Sequence, residues 1–282
     1  TEQRMRRFVA EARPLGERAL REALARAALE PTDVDLLTVV SCTGYATPGL
    51  DILLAHDLGL RPDVQRLHIG HMGCYAALPG LATVADAARA RDAIALLLCV
   101  ELTTLHVQPP ERDLEQFVAH ALFGDAAAAA VVAPDGPGLE LVDVIACTDP
   151  ETAPLMGWDV TDRGFRMRLS SKVPTALRPH VPTTVDRLLE RNGLARGRVA
   201  HWLAHPGGPA ILDVVAEELG LADDALEASR ATLREIGNCS SATILHVLER
   251  TLATGEVESG DHLVALAFGP GLTLYGCLLR AS

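Results

Sequence analysis

Short apolar runs alternate with longer amphipathic segments along the chain, and this alternation is typical of α/β architecture. Leu15, Ala19 and Ala23 recur at helical spacing, which predicts a helix over residues 15–29. Further along the first half, the pattern predicts a strand, a helix, a strand, a helix and two more strands. The strands are predicted over residues 35–40, 66–69, 93–100 and 126–133. Of the two helices, one spans residues 50–58, and the other follows Gly73 and ends near residue 90.

The second half of the chain repeats this order of elements. A strand over residues 199–204 is followed by a Gly/Pro turn and a helix to about residue 219. This helix ends in a Leu-Gly-Leu triplet (219–221), as the first-half helix does (58–60). The strand DAIALLLC (92–99) resembles DHLVALAF (261–268) in the same way. These matches predict an internal duplication. Because equivalent helix starts of two duplicated halves can face each other, we expect residues distant in sequence to meet at one site.

The charge of the chain limits its partners. The 282 residues include 25 Lys and Arg against 37 Asp and Glu, which gives a formal net charge of −12. Nucleic-acid binding and polybasic membrane anchoring need clustered positive charge, so neither is predicted. The longest strongly apolar run, residues 94–100, is far shorter than the ~20 residues that span a bilayer. Residues 1–13 also lack the apolar core of a signal peptide.

Cysteine usage points to a reducing compartment. Six cysteines are dispersed along the chain, without a CxxC pair and without a spacing typical of a zinc site. Most of them lie in apolar or small-residue runs, where a free cysteine behaves as a small hydrophobe. We therefore predict a soluble, cytoplasmic protein with neither a disulfide framework nor a metal site.

Three residues are candidates for chemistry. Cys74 follows Gly73 at a predicted helix N-terminus, where backbone amides and the helix dipole favour the thiolate. His205 lies in a Gly/Pro-rich turn after a strand, and a neutral imidazole there can accept a thiol proton. Asn238 can donate an amide hydrogen bond to an oxyanion or enolate without a repulsive charge. Taken singly, Cys74 is more simply a buried cysteine and Asn238 a helix N-cap.

The segments around these residues resemble one known family. From about Pro14 to its C-terminus, the sequence is similar to the chalcone-synthase-like type III polyketide synthases. HPGGP and GNxSSA together are specific, because ketoacyl-ACP synthase III enzymes share the Cys/His/Asn set but usually carry HQAN. The matching motifs are GCYAALPGL (73–81), ALFGDAAAAAVV (121–132), HPGGPAIL (205–212), GNCSSAT (237–243) and FGPGLT (268–273).

This resemblance implies a thiolase-like αβαβα five-layer α/β fold built from two duplicated halves, which we expect to span residues 1–133 and 134–282. It also implies that Cys74 accepts a starter acyl group from a CoA thioester. His205 and Asn238 would bind the thioester carbonyl of malonyl-CoA and stabilise the enolate formed when CO2 leaves. Repeated condensation and cyclisation would give a pyrone, a resorcinol or a related phenolic product. The implied enzyme is a homodimer whose substrates are an acyl-CoA starter and malonyl-CoA, with no cofactor.

The same resemblance implies the residues of the substrate pocket. Phe123 matches a gatekeeping aromatic between the CoA tunnel and the cavity, and Met167 falls where plant members carry a second gatekeeper. A flexible Met would relax that constriction. Cys42 is interpreted as pocket wall rather than as a second nucleophile, Thr47 resembles the residue that reaches across the dimer interface, and Glu101 is interpreted as structural. The other expected pocket residues are Thr43, Thr103, His106, Leu169, Ala210, Phe268, Gly269, Pro270 and Gly271.

Three alternatives remain open at this point. A ketoacyl-ACP synthase III-like enzyme of fatty-acid synthesis would need an acyl-carrier protein, and HPGGP argues against it. A papain-like hydrolase also has the order Cys, His, Asn but carries a CGSCW-like segment that is absent here. A catalytically silent homologue would keep the fold without acylation of Cys74. Since family members usually begin several dozen residues earlier, we expect the chain to be part of a longer protein.

Overall fold

Two four-stranded sheets form the framework of the structure, a computed structural model that describes residues 1–108 and 114–282. The strands of the first sheet are β1 (Leu36–Ser41), β2 (Gln65–Gly70), β3 (Ala95–Leu102) and β4 (Asp125–Val132). Those of the second are β5 (Leu139–Thr148), β8 (Val199–Ala204), β9 (His262–Gly269) and β10 (Thr273–Ala281). A separate hairpin pairs β6 (Met156–Thr161) with β7 (Gly164–Leu169).

Nine α-helices pack around these sheets within the described ranges. They are α1 (Glu2–Arg26), α2 (Leu50–Leu58), α3 (Ala77–Arg91), α4 (Leu114–Leu122), α5 (Val173–Leu177), α6 (His180–Arg191), α7 (Pro209–Leu219), α8 (Glu227–Ile236) and α9 (Ala242–Ala253). The repeated Leu-Gly-Leu triplets are the ends of α2 and α7. Gly59 and Gly220 take left-handed conformations there, with φ of 74° and 65°. Glycine adopts this conformation readily, which explains why both helices stop at the same motif.

The duplication is visible in the strand order. The first sheet runs β2-β1-β3-β4, with β1 parallel to β3 and β3 antiparallel to β4. The second runs β5-β10-β9-β8, with β8 parallel to β9 and β9 antiparallel to β10. The pairs Ile69-Gly70 and Ile236-Gly237, which precede Cys74 and Asn238, are alike in sequence but not in structure. Ile69-Gly70 ends the strand β2, whereas Ile236 ends the helix α8.

The elements stack in five layers, which confirms the predicted αβαβα arrangement. On one outer side, α1 and α2 pack on the first sheet, and on the other, α5, α6 and α7 pack on the second. Helices α3 and α9 lie between the two sheets and share one apolar core with both of them. The strand pleat divides these cores, because Leu97 and Cys99 of β3 face the central layer while Leu96 and Leu98 face the outer one.

The first helix is longer than predicted. It begins at Glu2 rather than near residue 15, and Pro14 lies inside it. Phe8, Ala12 and Leu20 form a buried stripe along it, so the charged N-terminal run is the solvent face of an amphipathic helix.

Candidate active site

Cys74 lies in the turn between β2 and the first residue of α3, one of the two central helices. Its thiol is 3.9 Å from the side-chain oxygen of Asn238, and the residue is only 7% exposed. Gly73 precedes it with φ of 83°, and a Cβ placed there would lie 2.6 Å from the ring of Pro270. A glycine is therefore required at position 73 for both its conformation and the close approach of the 268–273 segment.

Asn238 occupies the corresponding place before α9, the other central helix. Its backbone amide donates to the Leu122 carbonyl at 2.8 Å, and its own carbonyl accepts from Gly124 at 3.0 Å. These bonds pair Asn238 with Phe123 in an isolated bridge. Its side-chain oxygen accepts from the Ser240 amide at 2.9 Å, and its side-chain nitrogen donates to the Gly207 carbonyl at 3.5 Å. Since α9 begins four residues later, Asn238 is not the N-cap of that helix.

His205 follows β8 and joins the site through the turn that Gly207 belongs to. It is 1% exposed, and neither ring nitrogen has a hydrogen-bond partner within the described residues. Burial lowers the pKa of the imidazole to about 3. The ring is therefore neutral at neutral pH, with one N–H and one lone pair available to a ligand.

Burial also controls the protonation of Cys74. It raises the pKa of the thiol to about 12, although hydrogen bonds involving Ser240 and Asn238 act in the opposite direction. The favourable effect of a helix N-terminus on the thiolate is outweighed here, because α3 begins three residues later and desolvation dominates. The resting site holds a neutral thiol and a neutral imidazole.

Cys74 lines one of two recesses that share part of their walls. Phe123, Trp158 and Met167 line both of them, so these three side chains form a partition between the recesses. The recess that contains Cys74 is also lined by Gly73, Met156, Gly157, Ser240 and Pro270. The other is also lined by Thr103, Thr104, His106, Val107, Gln116, Ala119 and His120.

The β6–β7 hairpin supplies most of this partition, and His106 fixes it in place. The His106 ring stacks on Phe165 with centroids 4.4 Å apart and planes 7° from parallel. The Phe165 amide donates to Nδ1 of His106 at 3.1 Å, and Nε2 lies 2.7 Å from the Thr43 carbonyl. These bonds specify a neutral ring with the proton on Nε2, and burial lowers the pKa of His106. His106 thus connects the hairpin to the segment after β1.

The structure places the expected pocket residues in two groups. Phe123, Thr103, His106, Met167 and Pro270 line one or both recesses. The rest do not line them. Phe268 and Leu169 pack with the outer core of the second half, Ala210 is exposed in the first turn of α7, and Gly271 abuts Thr273. Phe268 points away from the central layer, because Ala267 and Ala265 occupy the inner face of β9.

Cys42, Thr43 and Gly269 lie just behind the site. Cys42 Sγ is 3.2 Å from the Ser240 hydroxyl. A Cβ on Gly269 would lie 2.7 Å from the Tyr75 ring and 3.3 Å from the Cys74 amide nitrogen, so this glycine allows close packing behind the cysteine. Thr47 lies in the exposed segment after β1, where its hydroxyl donates to the Tyr45 hydroxyl at 3.0 Å.

Glu101 connects the two halves beneath the site. It is fully buried at the end of β3. Its carboxylate accepts from the Thr43 hydroxyl at 2.8 Å and the Cys42 amide at 3.0 Å in the first half, and from the Ser241 hydroxyl at 2.6 Å in the second. Burial raises its pKa. The network holds the segment after β1 against the turn that opens α9.

Sequence reasoning missed Trp158 and Ser240. Trp158 is one of only two tryptophans, and its rarity was the available signal. Ser240 lies within the GNCSSAT motif, but its contacts with Cys42 and Cys74 depend on tertiary structure. No three His, Cys, Asp or Glu side chains of residues 1–108 and 114–282 are arranged to hold a metal ion. In the same part of the chain, no helix has the length and apolar character needed to cross a membrane.

Two duplicated α/β halves with a cysteine and an asparagine at the starts of their paired central helices define a thiolase-fold condensing enzyme. Residues 1–136 match the N-terminal domain of chalcone and stilbene synthases, and residues 140–282 match the C-terminal domain. The chain therefore belongs to the chalcone and stilbene synthase family, the type III polyketide synthases, which are acyltransferase-type condensing enzymes that use malonyl-CoA. The matches give no support to a ketoacyl-ACP synthase III.

Individual relatives agree with this assignment. The chain is 38% identical over 273 residues to 1,3,6,8-tetrahydroxynaphthalene synthase of Streptomyces peucetius subsp. caesius, covering 94% of this chain and 72% of that protein. It is 34% identical over 277 residues to 3,5-dihydroxyphenylacetyl-CoA synthase of Streptomyces toyocaensis, covering 94% and 71%. The crystal structure of tetrahydroxynaphthalene synthase from Streptomyces coelicolor superposes with a TM-score of 0.95 at 32% identity, covering 100% of this chain and 81% of that one.

Proposed function

We propose that this type III polyketide synthase loads an acyl group on Cys74 and extends it with malonyl units under the direction of His205 and Asn238. One observation carries the proposal. The thiol of Cys74 lies against Asn238 just before the two central helices, and the adjoining turn holds a buried His205 whose ring nitrogens have no hydrogen-bond partner among residues 1–108 and 114–282. A buried polar side chain without a partner is costly unless a ligand completes its hydrogen bonds.

Loading is a transthioesterification. The Cys74 thiol gives its proton to the neutral imidazole of His205, and the thiolate attacks the thioester carbonyl of the starter. The carbon–sulfur bond to CoA then breaks, and CoA leaves as a thiol with the proton that His205 held. Since burial holds the pKa of Cys74 at about 12 in the free enzyme, deprotonation is coupled to the arrival of substrate.

Extension uses the same polar atoms. The His205 N–H and the side-chain amide of Asn238 donate to the thioester carbonyl of malonyl-CoA, and CO2 leaves to give an enolate. The enolate carbon attacks the acyl thioester on Cys74, which releases the thiolate and a chain two carbons longer on CoA. Both donors are uncharged, so they stabilise the enolate oxygen, whereas a carboxylate there would repel it. These steps need no metal or redox cofactor.

The partition favours a short starter. The indole of Trp158 fills the space between the recesses, with its ring centroid 6.4 Å from that of Phe123. We infer that an acyl group on Cys74 meets this wall after a few carbons. The relatives named above are synthases of a tetrahydroxynaphthalene and a dihydroxyphenylacetyl-CoA, and we propose a polyhydroxylated aromatic product for this chain as well.

We also propose a cytoplasmic homodimer. All six cysteines are free thiols, in keeping with a reducing compartment. The outer edge of β2 is open within the described residues, because β2 ends the strand order of its sheet. Apolar side chains are exposed on β2 and nearby, among them Tyr45, Ile52 and Leu67. An open strand edge flanked by apolar surface suits pairing with a second copy.

The test is to incubate the purified protein with malonyl-CoA and a panel of short and long acyl-CoA starters, without any carrier protein. We expect an acyl mass shift that maps to Cys74 and release of polyketide products. Cys74→Ala should abolish both, whereas Cys277→Ala, which alters a buried cysteine of β10, should retain them. Acylation that persists in Cys74→Ala, or turnover only with an acyl-carrier protein, would contradict the proposal.

A further inference from the structure

A second constellation of cysteine, histidine and carboxylate lies at the end of β5, away from both recesses. The Cys147 sulfur is 3.8 Å from Nδ1 of His180, the first residue of α6. Nε2 of the same ring is 3.2 Å from the Asp149 carboxylate. A proton on Nε2 is therefore held by Asp149, which leaves the Nδ1 lone pair directed at the thiol. This is the order of contacts by which a base activates a nucleophile.

Asp149 is itself held in position. Its other carboxylate oxygen accepts from the Glu151 amide at 3.1 Å, and its backbone amide donates to the Leu272 carbonyl at 2.8 Å. Cys147 is fixed by the pairing of β5 with β10, where it lies opposite Leu274. The three groups are thus positioned by a strand, a capped turn and a helix start rather than by a loose surface contact.

Cys147 differs from the other cysteines in its accessibility. It is partly exposed, whereas the remaining five are buried. Burial raises the pKa of each of those five thiols, and the five are Cys42, Cys74, Cys99, Cys239 and Cys277. Thiol reactions proceed through the thiolate and require access, so the five buried thiols should react more slowly than Cys147 with reagents in solution, and of these five Cys74 lines a recess. Cys147 has both a base and a route to solvent.

We propose that Cys147, His180 and Asp149 form a second thiol site, which takes small-molecule disulfides and becomes a mixed disulfide. None of the three residues lines the recess of Cys74 or the neighbouring one, so the proposal does not depend on the condensation chemistry. The class of ligand follows from the site, because an accessible thiol with an imidazole base meets the requirements of thiol–disulfide exchange. A thioester substrate would also need donors for its oxyanion.

In this exchange the disulfide is the oxidant. His180 Nδ1 takes the Cys147 proton, and the thiolate attacks one sulfur of a disulfide R–S–S–R. The R–S–S–R bond breaks as the Cys147–S–S–R bond forms, and the leaving thiolate takes the proton from the imidazolium. Cys147 is oxidised while one half of the reagent is reduced to a free thiol. A second thiol reverses the step, so the modification is reversible.

The test measures which cysteine reacts and how fast. The intact protein is mixed with a small excess of dipyridyl disulfide, thione release is followed spectroscopically, and the labelled peptide is identified by mass spectrometry. We expect one equivalent of the disulfide to react rapidly with Cys147 in the wild type and in Cys74→Ser, and no rapid reaction in Cys147→Ser. Loss of the base in His180→Gln should slow this phase about tenfold or more, and Asp149→Asn should slow it less.

A matched control comes from a similar pair elsewhere. His201 Nε2 is 3.3 Å from the Asp261 carboxylate, in the same kind of contact but without a cysteine, so His201→Gln should leave the fast phase unchanged. Circular dichroism and thermal unfolding verify that each variant is folded. Fast labelling of Cys74 in place of Cys147 would overturn the proposal. The proposal would also be overturned if His180→Gln or Asp149→Asn, when shown to be folded, labelled Cys147 at the wild-type rate.

Discussion

At the scale of single residues, burial rather than charge sets the chemistry of the site. Cys74, His205 and Glu101 are all buried, and burial shifts the pKa of each in the direction that favours its neutral form. Glu101 is compensated by four donors, whereas His205 is not compensated within the described residues. In the proposed function, this uncompensated group is the one whose hydrogen bonds the substrate completes, whereas Glu101 has a structural role.

The buried imidazole of His205 predicts a pH dependence of stability. The His205 pKa falls from its usual 6.5 to about 3 on folding. Between these values, the unfolded chain binds a proton that the folded chain does not, so acidification favours unfolding. The free energy of unfolding is therefore unaffected by His205 above pH 6.5 and decreases as the pH falls from 6.5 toward 3. At pH 5 the loss amounts to about 2 kcal/mol, taking 1.36 kcal/mol for each unit.

The measurement is the free energy of unfolding by denaturant at several pH values for the wild type and His205→Gln. Glutamine cannot be protonated, so the stability of the variant should fall less steeply between pH 7 and pH 5, by about the same 2 kcal/mol. All other residues are the same in both proteins, so their contributions cancel in the difference. Parallel curves for the two proteins would contradict the prediction.

At the scale of elements, the hairpin of β6 and β7 determines the shape of the pocket. Trp158 and Met167 lie on its two strands, and His106 holds the hairpin to the segment after β1. Because Trp158 and Met167 line both recesses, a change in the hairpin alters the shared wall of the recesses without replacing Cys74.

We predict that Trp158→Ala shifts the preferred starter toward longer acyl chains. Removal of the indole opens the partition between the recesses, and each further methylene then gains apolar contact. The ratio of kcat/KM for a long starter to that for a short one should rise about tenfold or more. Steady-state kinetics with paired acyl-CoA substrates measure this ratio. Val160→Ala, on an exposed position of the same strand, is the control, and an equal ratio in both variants would refute the prediction.

The hairpin also marks the limit of what periodicity could predict. The helix over residues 50–58 and the strand over 199–204 were predicted with the bounds that α2 and β8 have, because short apolar runs there end in Gly or Pro. In β6, by contrast, only Gly157 is buried. The strand β6 lines the recesses because Trp158 contacts Phe123, a residue distant in sequence. The local sequence pattern of β6 does not indicate this contact.

At the scale of the whole molecule, duplication creates the site. Cys74 and Asn238 are far apart in sequence, yet each precedes one of the two central helices, which pack together between the sheets. The motifs and the repeat together were sufficient to predict this meeting. The protonation of Cys74 was not predictable from them, because desolvation depends on how completely five layers enclose the thiol.

The open edge of β2 predicts how the molecule associates. Leu67 on β2 is 39% exposed, and Ile52 on the neighbouring α2 is 45% exposed. If β2 pairs with its counterpart in a second copy, twofold symmetry places each of these side chains in the interface twice. Since Leu67 is 39% exposed, covering its remaining surface in both copies contributes about 1–2 kcal/mol, and each 1.4 kcal/mol changes the dissociation constant about tenfold.

Light scattering coupled to size exclusion should therefore report twice the 29.9 kDa of one chain. Leu67→Glu places two carboxylates at the strand edge and should weaken the dimer about a hundredfold or more, since both lost burial and like-charge repulsion oppose association. Leu252→Glu introduces the same charge at an exposed position of α9 and should leave the dimer intact. A monomeric wild type, or equal dissociation of both variants, would exclude β2 as the interface. Loss of the dimer in Leu67→Glu alone would indicate that the first sheet extends across two copies. The sheet that supports Cys74 would then be continuous through the dimer.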